Sequence, residues 1–396
     1  MPALSRRIRG IVPGNADGWE IYVKARRMRA EGQPVVMLSI GDHDIKTDAK
    51  VLEAMFNSAR GGHLGYAAVP GTLALRQAIA DRVTARGGPP ATPDNVIVTS
   101  GGQGALFASM MAALDPGDAC VVLDPFYASF DMTVRAASGE PIIVQTRAED
   151  GFQPDAATIE AALTDRARAI LINSPNNPTG AVYARDRLQA VADLAKRRDL
   201  WVISDELYES QVHDGAHVSI RDLPGMAERT FLIGSMSKGF AMTGARLGWA
   251  VAPDFPTLCM YDLAGATTYG LPGFIQDAAL FALTEHPETE SEVAARYRRR
   301  RDIAVEALRS ANHVGYVPPE GGMYVMVDIR PTGLTGDAFA ERLLDEELIG
   351  VMPGESFGAA AAGHIRVALT VVDDELSDAM QRIVRFADKV VAEKAA

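Results

Sequence analysis

A chain of 396 residues, 47% of them hydrophobic, can fill two ordinary cores or one large one. Its net charge of −12 argues against a nucleic-acid surface, which needs clustered lysine and arginine. No apolar run reaches the roughly 18 residues of a membrane span and the amino terminus lacks the apolar centre of a signal peptide, so a cytoplasmic protein with no membrane partner is expected.

The first 40 residues carry a basic segment at Ser5-Arg6-Arg7-Ile8-Arg9, a helical pattern over 19–29 and a β-favouring run over 35–40. A loop follows at Gly41-Asp42-His43-Asp44, where a glycine can bring its backbone close to a small ligand. From about residue 50 to 285, helices alternate with short apolar runs at 96–99, 119–123, 142–144, 169–172, 201–204, 231–233 and 247–251. That alternation predicts an α/β fold, a mostly parallel seven-stranded sheet between helices. After Pro287 the pattern changes to a long charged helix, strands at 324–327 and 364–368, and a final helix from Asp373. The chain therefore divides into a large domain, 48–286, and a smaller α+β domain made of 1–47 and 287–396. The basic cluster Arg296-Tyr297-Arg298-Arg299-Arg300-Arg301 is expected to be a solvated helix face. Cys120 and Cys259 lie far apart among apolar neighbours, which suits reduced thiols that are not nucleophiles.

Several strand ends carry residues suited to chemistry. Ser100-Gly101-Gly102-Gln103-Gly104 joins a strand to a helix, so free amides and the helix dipole converge where an anion fits, although such glycines also serve steric needs alone. Asp124-Pro125-Phe126-Tyr127 can lay an aromatic ring on a planar cofactor or simply fill core. Asn173-Ser174-Pro175-Asn176-Asn177-Pro178-Thr179-Gly180 is dense in turn formers and offers amides to a ring oxygen. In Ser204-Asp205-Glu206-Leu207-Tyr208 a carboxylate ends an apolar strand, where it can cap the next helix or pair with a protonated ring nitrogen. Last, Gly234-Ser235-Met236-Ser237-Lys238 mounts a lysine beside two hydroxyls, with Arg246 eight residues on. A lysine after a strand is ordinarily solvated. Here it can condense with an aldehyde while the hydroxyls and the guanidinium hold a phosphate, a pairing that describes pyridoxal phosphate.

Taken together these motifs resemble a fold-type I, class I/II aminotransferase dependent on pyridoxal 5'-phosphate, over nearly the whole chain and in the expected order. The resemblance implies that Lys238 binds the cofactor and moves the proton, that Asp205 pairs with the ring nitrogen, and that Tyr208 and Asn177 bond the ring oxygen. It places Tyr127 where relatives stack an aromatic, most often tryptophan. Gly101, Gly102, Gln103, Ser235, Ser237 and Arg246 are implied to hold the phosphate, with Tyr66 added from a neighbouring subunit, hence a homodimer with shared sites. Arg366, preceded by the family's Pro353-Gly354-Glu355-Ser356-Phe357-Gly358 motif, is implied to grip the substrate α-carboxylate, with Gly41 and Asn177 beside it. The implied substrates are an amino acid and a 2-oxo acid.

Two departures stand out. His43 replaces a proline common in that loop, and Gln103 replaces a lysine that acid-preferring relatives often carry. With Tyr66, Tyr127 and Tyr269 as candidate walls, neutral or aromatic donors are expected. A lyase or decarboxylase on the same scaffold is the alternative. A ligand-sensing regulator domain of the same fold is disfavoured by the acidic charge and the short stretch ahead of Gly41.

Overall fold

The computed structural model describes residues 2–12 and 19–395. In chain order its strands begin with the short β1 (Val36–Met37) and continue as β2 (Val96–Ser100), β3 (Ala119–Asp124), β4 (Glu140–Gln145), β5 (Ala167–Asn173), β6 (Trp201–Asp205), β7 (Thr230–Ser235) and β8 (Leu247–Val251). The last seven form one sheet in the order β2-β8-β7-β6-β5-β3-β4. Only β8 runs against its neighbours β2 and β7. Such a sheet is covered on both faces, which explains why β3, β7 and β8 are buried along their whole length. Alternate side chains feed different cores. Val121, Ile170, Ile172 and Val202 pack under the helix Arg185–Arg197, while Cys120, Val122, Leu171, Ile203 and Phe231 pack with the helix Gly101–Ala113.

Beyond this sheet lie β9 (Gly315–Val317), β10 (Tyr324–Asp328), β11 (Ile349–Gly350), β12 (Met352–Pro353) and β13 (His364–Ala368). Four of them make an antiparallel sheet, β12-β13-β10-β9, and β11 pairs in parallel with β1. The helices Glu288–Arg309, Gly336–Glu347 and Asp373–Ala395 build a core with this sheet, through Tyr297, Phe339, Ile383 and Phe386 among others. The seven expected strands of the large sheet and the two later ones are all present.

Three expectations need correction. The run 35–40 pairs as a strand only at Val36–Met37, because its later carbonyls are taken by other groups. Leu38 accepts from the Ala368 amide, Ser39 from Arg366 and Ile40 from the Thr370 hydroxyl. The basic cluster is not uniformly solvated. Tyr297 and Arg300, three residues apart on one helix face, turn inward and are buried. Arg300 holds Asp44 through two bonds of 2.7 and 2.6 Å and Asp373 at 3.2 Å. Finally, only Cys120 is buried, and Cys259 sits exposed on the helix Asp254–Ala266; both are free thiols.

Replacing Arg300 with methionine keeps the stem but takes from Asp44 its two guanidinium bonds and from Asp373 one, with Arg299 still pairing with Asp373. The substitution is expected to cost about 3 kcal/mol of stability. Thermal unfolding checks this, and a melting temperature equal to the wild type would show that the ion pairs contribute nothing net.

Candidate active site

The parallel strands β3, β5, β6 and β7 all end on one edge of the sheet, the side on which open α/β sheets bind ligands. There a cavity of about 410 Å³ is lined by Lys238, Asp205, Asn177, Tyr208, Arg246 and Arg366. Gly41, Gly102, Gln103, Tyr127 and Ser237 also face it. Sequence-distant residues thus converge because strand register places them. Asn173 stands directly beside Asp205 across the β5–β6 pair, and Asp205 beside Ile233 across β6–β7.

Lys238 lies in the four-residue turn Met236–Gly239, which Ser235 caps by accepting the Ser237 amide at 3.0 Å. The lysine amine donates to the Gly41 carbonyl at 2.5 Å. Ser235 spends its own hydroxyl hydrogen inside this turn, within 2.9 Å of the Ser237 oxygen and 3.0 Å of the Leu247 carbonyl, so it supports the wall from behind. Gly101 likewise stands behind the surface. Its φ of 68° suits glycine, and a methyl group there would strike the Arg246 guanidinium. Gly248 of β8 is equally constrained, since a Cβ would press on the Gly101 and Gly102 backbone. These close approaches bring the amino end of the helix Gly101–Ala113 against Arg246, whose Nη1 is steadied by the Thr243 carbonyl at 2.8 Å. Amides at a helix start, a guanidinium and the Ser237 hydroxyl suit a phosphate.

The buried Asp205 carboxyl accepts the Leu207 amide, at 3.2 Å. Burial pushes its carboxyl up to about 7, with the neighbouring Glu206 charge adding to the rise while the Leu207 amide and Lys238 oppose it. A buried acid with this environment suits a cationic partner. Tyr208 exchanges a hydrogen bond with Tyr324 at 3.2 Å.

Arg366 is buried in β13, its guanidinium 4.3 Å from both the Tyr324 and Phe357 ring centroids. Nη1 donates to Asn177 Oδ1 at 2.8 Å and Nη2 to the Ser39 carbonyl at 2.5 Å. Its Nε is buried and has no hydrogen-bond partner among the described residues. Because Asn177 accepts from Arg366 through its oxygen, its amide nitrogen is the end with hydrogens to offer. Gly41 closes this corner, where a Cβ would collide with the Tyr324 hydroxyl. Gln103 spends its amide on Thr133 at 2.8 Å and Ser129 at 2.9 Å.

The sequence placed Tyr66 and Tyr269 on this wall, and within one chain neither is there. They pair edge to face at 5.3 Å on the surface, Tyr66 89% exposed. Conversely Trp19, Tyr22, Asp42, Leu106, Phe130, Thr243 and Tyr324 line the cavity without having been singled out. The i, i+3 spacing of Trp19 and Tyr22 marks one helix face, but nothing local to them reveals what that face meets.

An open α/β sheet whose strand ends gather a lysine, a buried carboxyl and an arginine fork defines the class I and II aminotransferases. Residues 33–383 match the sequence model of that family, "Aminotransferase class I and II", and the chain belongs to it. It is 42% identical to arginine–pyruvate transaminase AruH of Pseudomonas aeruginosa, over 97% of this chain and 98% of that one. With the aspartate/prephenate aminotransferase of Thermus thermophilus it shares 37% identity over 97% and 99% of the two chains. Among solved structures, a single mutant of Thermus thermophilus aspartate aminotransferase superposes with a TM-score of 0.92 at 36% identity, covering 98% of this chain and 100% of that chain. The aromatic aminotransferase of Pyrococcus horikoshii gives 0.87 at 34% identity, over 92% and 99%. The protein is an aminotransferase. Enzymes of this family generally depend on pyridoxal phosphate and act on amino acids and 2-oxo acids, and these relatives are transaminases, not the lyases or decarboxylases weighed above.

The raised carboxyl of Asp205 predicts a pH signature in the cofactor-free protein. Between its unfolded value near 4 and its folded value of about 7 the native state holds a proton that the unfolded state has released. Stability therefore falls as pH rises through that window, by on the order of 4 kcal/mol at full ionisation. Asp205→Asn should flatten the dependence of unfolding free energy on pH between 4 and 7. Parallel curves for the two proteins would contradict the assignment.

Proposed function

We propose that this aminotransferase carries pyridoxal 5'-phosphate on Lys238 and uses it to move an amino group from a non-acidic amino acid to a 2-oxo acid. The observation that carries the reading is the convergence of Lys238, Asp205 and Arg366 on one cavity. When bound, the cofactor supplies an aldehyde that condenses with amines and a ring that withdraws electrons from the substrate α-carbon. In this reading Gly101, Gly102, Gln103, Ser235, Ser237 and Arg246 hold the phosphate end, directly or as the frame of the direct contacts. Asp205 ionises against the ring nitrogen, Asn177 and Tyr208 donate to the ring oxygen, and Tyr127 lies along the ring face. Arg366 holds the α-carboxylate beside Gly41 and Asn177, which fixes the α-carbon hydrogen toward Lys238. The Lys238 amine is the base that takes that proton.

The donor end of the cavity supports a neutral or aromatic side chain. In this reading Trp19, Tyr22, Ile40, Leu106 and Phe130, which line the cavity, make that end, and the Gln103 side chain, bonded to Thr133 and Ser129, adds no charge to it. The large domain of this reading is 48–286 and the small one 1–47 with 287–396. A homodimer is part of it as well. Leu64, Tyr66, Leu73 and Tyr269 are all more than half exposed, an apolar surface that a second copy can cover while its Tyr66 reaches the phosphate. Two free thiols accord with a cytoplasmic location.

Borohydride reduction followed by peptide mapping should label Lys238, and Lys238→Ala should abolish turnover. A label on another lysine would overturn the assignment. Arg366→Ala should lower kcat/KM for every donor alike, by on the order of 100-fold or more, as expected for removing a charge-assisted fork. A donor panel with pyruvate and 2-oxoglutarate should favour methionine, leucine or phenylalanine over aspartate. Tenfold preference for aspartate would require a further cation at the donor end.

A further inference from the structure

His43, in the loop that follows Gly41, is bonded at both ring nitrogens. Nε2 lies 3.1 Å from the Ser237 carbonyl oxygen and Nδ1 lies 2.8 Å from the Tyr297 hydroxyl. A carbonyl oxygen only accepts, so Nε2 carries the hydrogen; Nδ1 of the neutral ring then accepts, and Tyr297 donates. One tautomer satisfies both contacts. The ring also packs edge to face on Tyr297, centroids 5.6 Å apart.

What makes this more than local packing is the identity of the partners. Ser237 precedes Lys238, whose amine is held by the carbonyl of Gly41, two residues before His43. The same loop is fastened to the lysine side by Thr243 donating to Asp42 at 3.0 Å and by Thr47 donating to the Ala241 carbonyl at 2.7 Å. It is fastened to the helix Glu288–Arg309 by the Arg300 fork on Asp44. His43 bridges both sides through one rigid ring. We propose that His43 is a positioning residue for Lys238: it ties the lysine turn to Tyr297 of the long helix and thereby sets where the Gly41 carbonyl holds the lysine amine. A proline there has no polar side-chain atom to make either bond.

The charged groups around the ring are Lys238, Asp42 and Asp44. Burial first, and then the Lys238 charge, bring the imidazole down to about 4, so the ring is neutral where the bridge has to operate.

This role rests on the cofactor reading above, and the test separates the two. Holoenzymes of the wild type, His43→Phe, Tyr297→Phe, the double variant and His43→Gln are compared by steady-state kinetics and by pH titration of the near-visible band of the lysine-bound cofactor. Tyr297→Phe removes a single oxygen and guards against a folding defect. Loss of one positioning bond predicts a kcat lowered about tenfold with KM within about twofold. The midpoint of the band should shift in both single variants, and the double variant should be no worse than His43→Phe because the two groups act as one unit. His43→Gln, whose amide still donates to the Ser237 carbonyl, should recover most of the activity. If both single variants lower only the melting temperature, leaving kcat and the band midpoint at wild-type values, His43 is structural and the proposal is wrong. A wild-type protein without the band overturns the cofactor reading and this role with it.

Discussion

The parallel register of β5, β6 and β7 is the constraint on which the site depends. A strand is stiff in length and its side chains alternate, so a slip of one residue would turn Asp205 from the cavity edge to the opposite face. Because Asn173 and Asp205 stand level, the Asn173 amide can donate to the Asp205 carbonyl at 3.0 Å while its oxygen accepts the Asn177 amide at 2.8 Å. One asparagine thus orders two strand ends and the loop that presents Asn177. The lysine turn follows one strand further along the sheet, and its distance from Asp205 is fixed by the same ladder.

Holding charge without water is costly, and the structure offsets that cost differently at its two ends. Arg366 is enclosed by two aromatic faces and two oxygen acceptors, and its Nε has no hydrogen-bond partner among the described residues. The Asp205 carboxyl accepts one amide, and burial raises it to about 7. Both are preorganised for partners of opposite charge, one anionic and one cationic, and the distance between them is bridged by Asn177 and Tyr208 lining the same cavity. An enzyme that must bind a carboxylate at one end and a protonated ring at the other needs this asymmetry.

Much of this was legible in the sequence. Each strand of the large sheet is a short apolar run bounded by turn residues, and each functional residue follows such a run, which is why Lys238, Asp205 and Asn177 could be placed on strand ends. The two- and three-residue strands β9, β11 and β12 have no such run and are set by tertiary pairing, and β1 takes up only two residues of the run 35–40. Arg366 could not be told from a structural arginine by its own neighbours; resemblance named it, and only the packing between Tyr324 and Phe357 gives the physical reason. Tyr324 was visible as a strand residue but not as a wall, and Tyr269 was expected on a wall from which its turn points away. The inward face of the basic cluster was missed because Tyr297 and Arg300 find partners in a loop some 250 residues earlier, Asp44 pairing at |i−j| of 256.

The two ends of the cavity also differ in how tightly they are built. Around Arg246 the backbone at Gly101–Gly102 and at Gly248 leaves no room for a methyl group at Gly101 or Gly248, whereas Trp19 precedes and Tyr22 lies in a helix, Glu20–Ala30, with one fully buried residue, Ala25. On the reading proposed above, the wall that meets the donor side chain is a replaceable panel on a fixed chassis. Descendants of this chain could then exchange that panel, and with it their choice of amino acid, while the glycine-lined end stays the same.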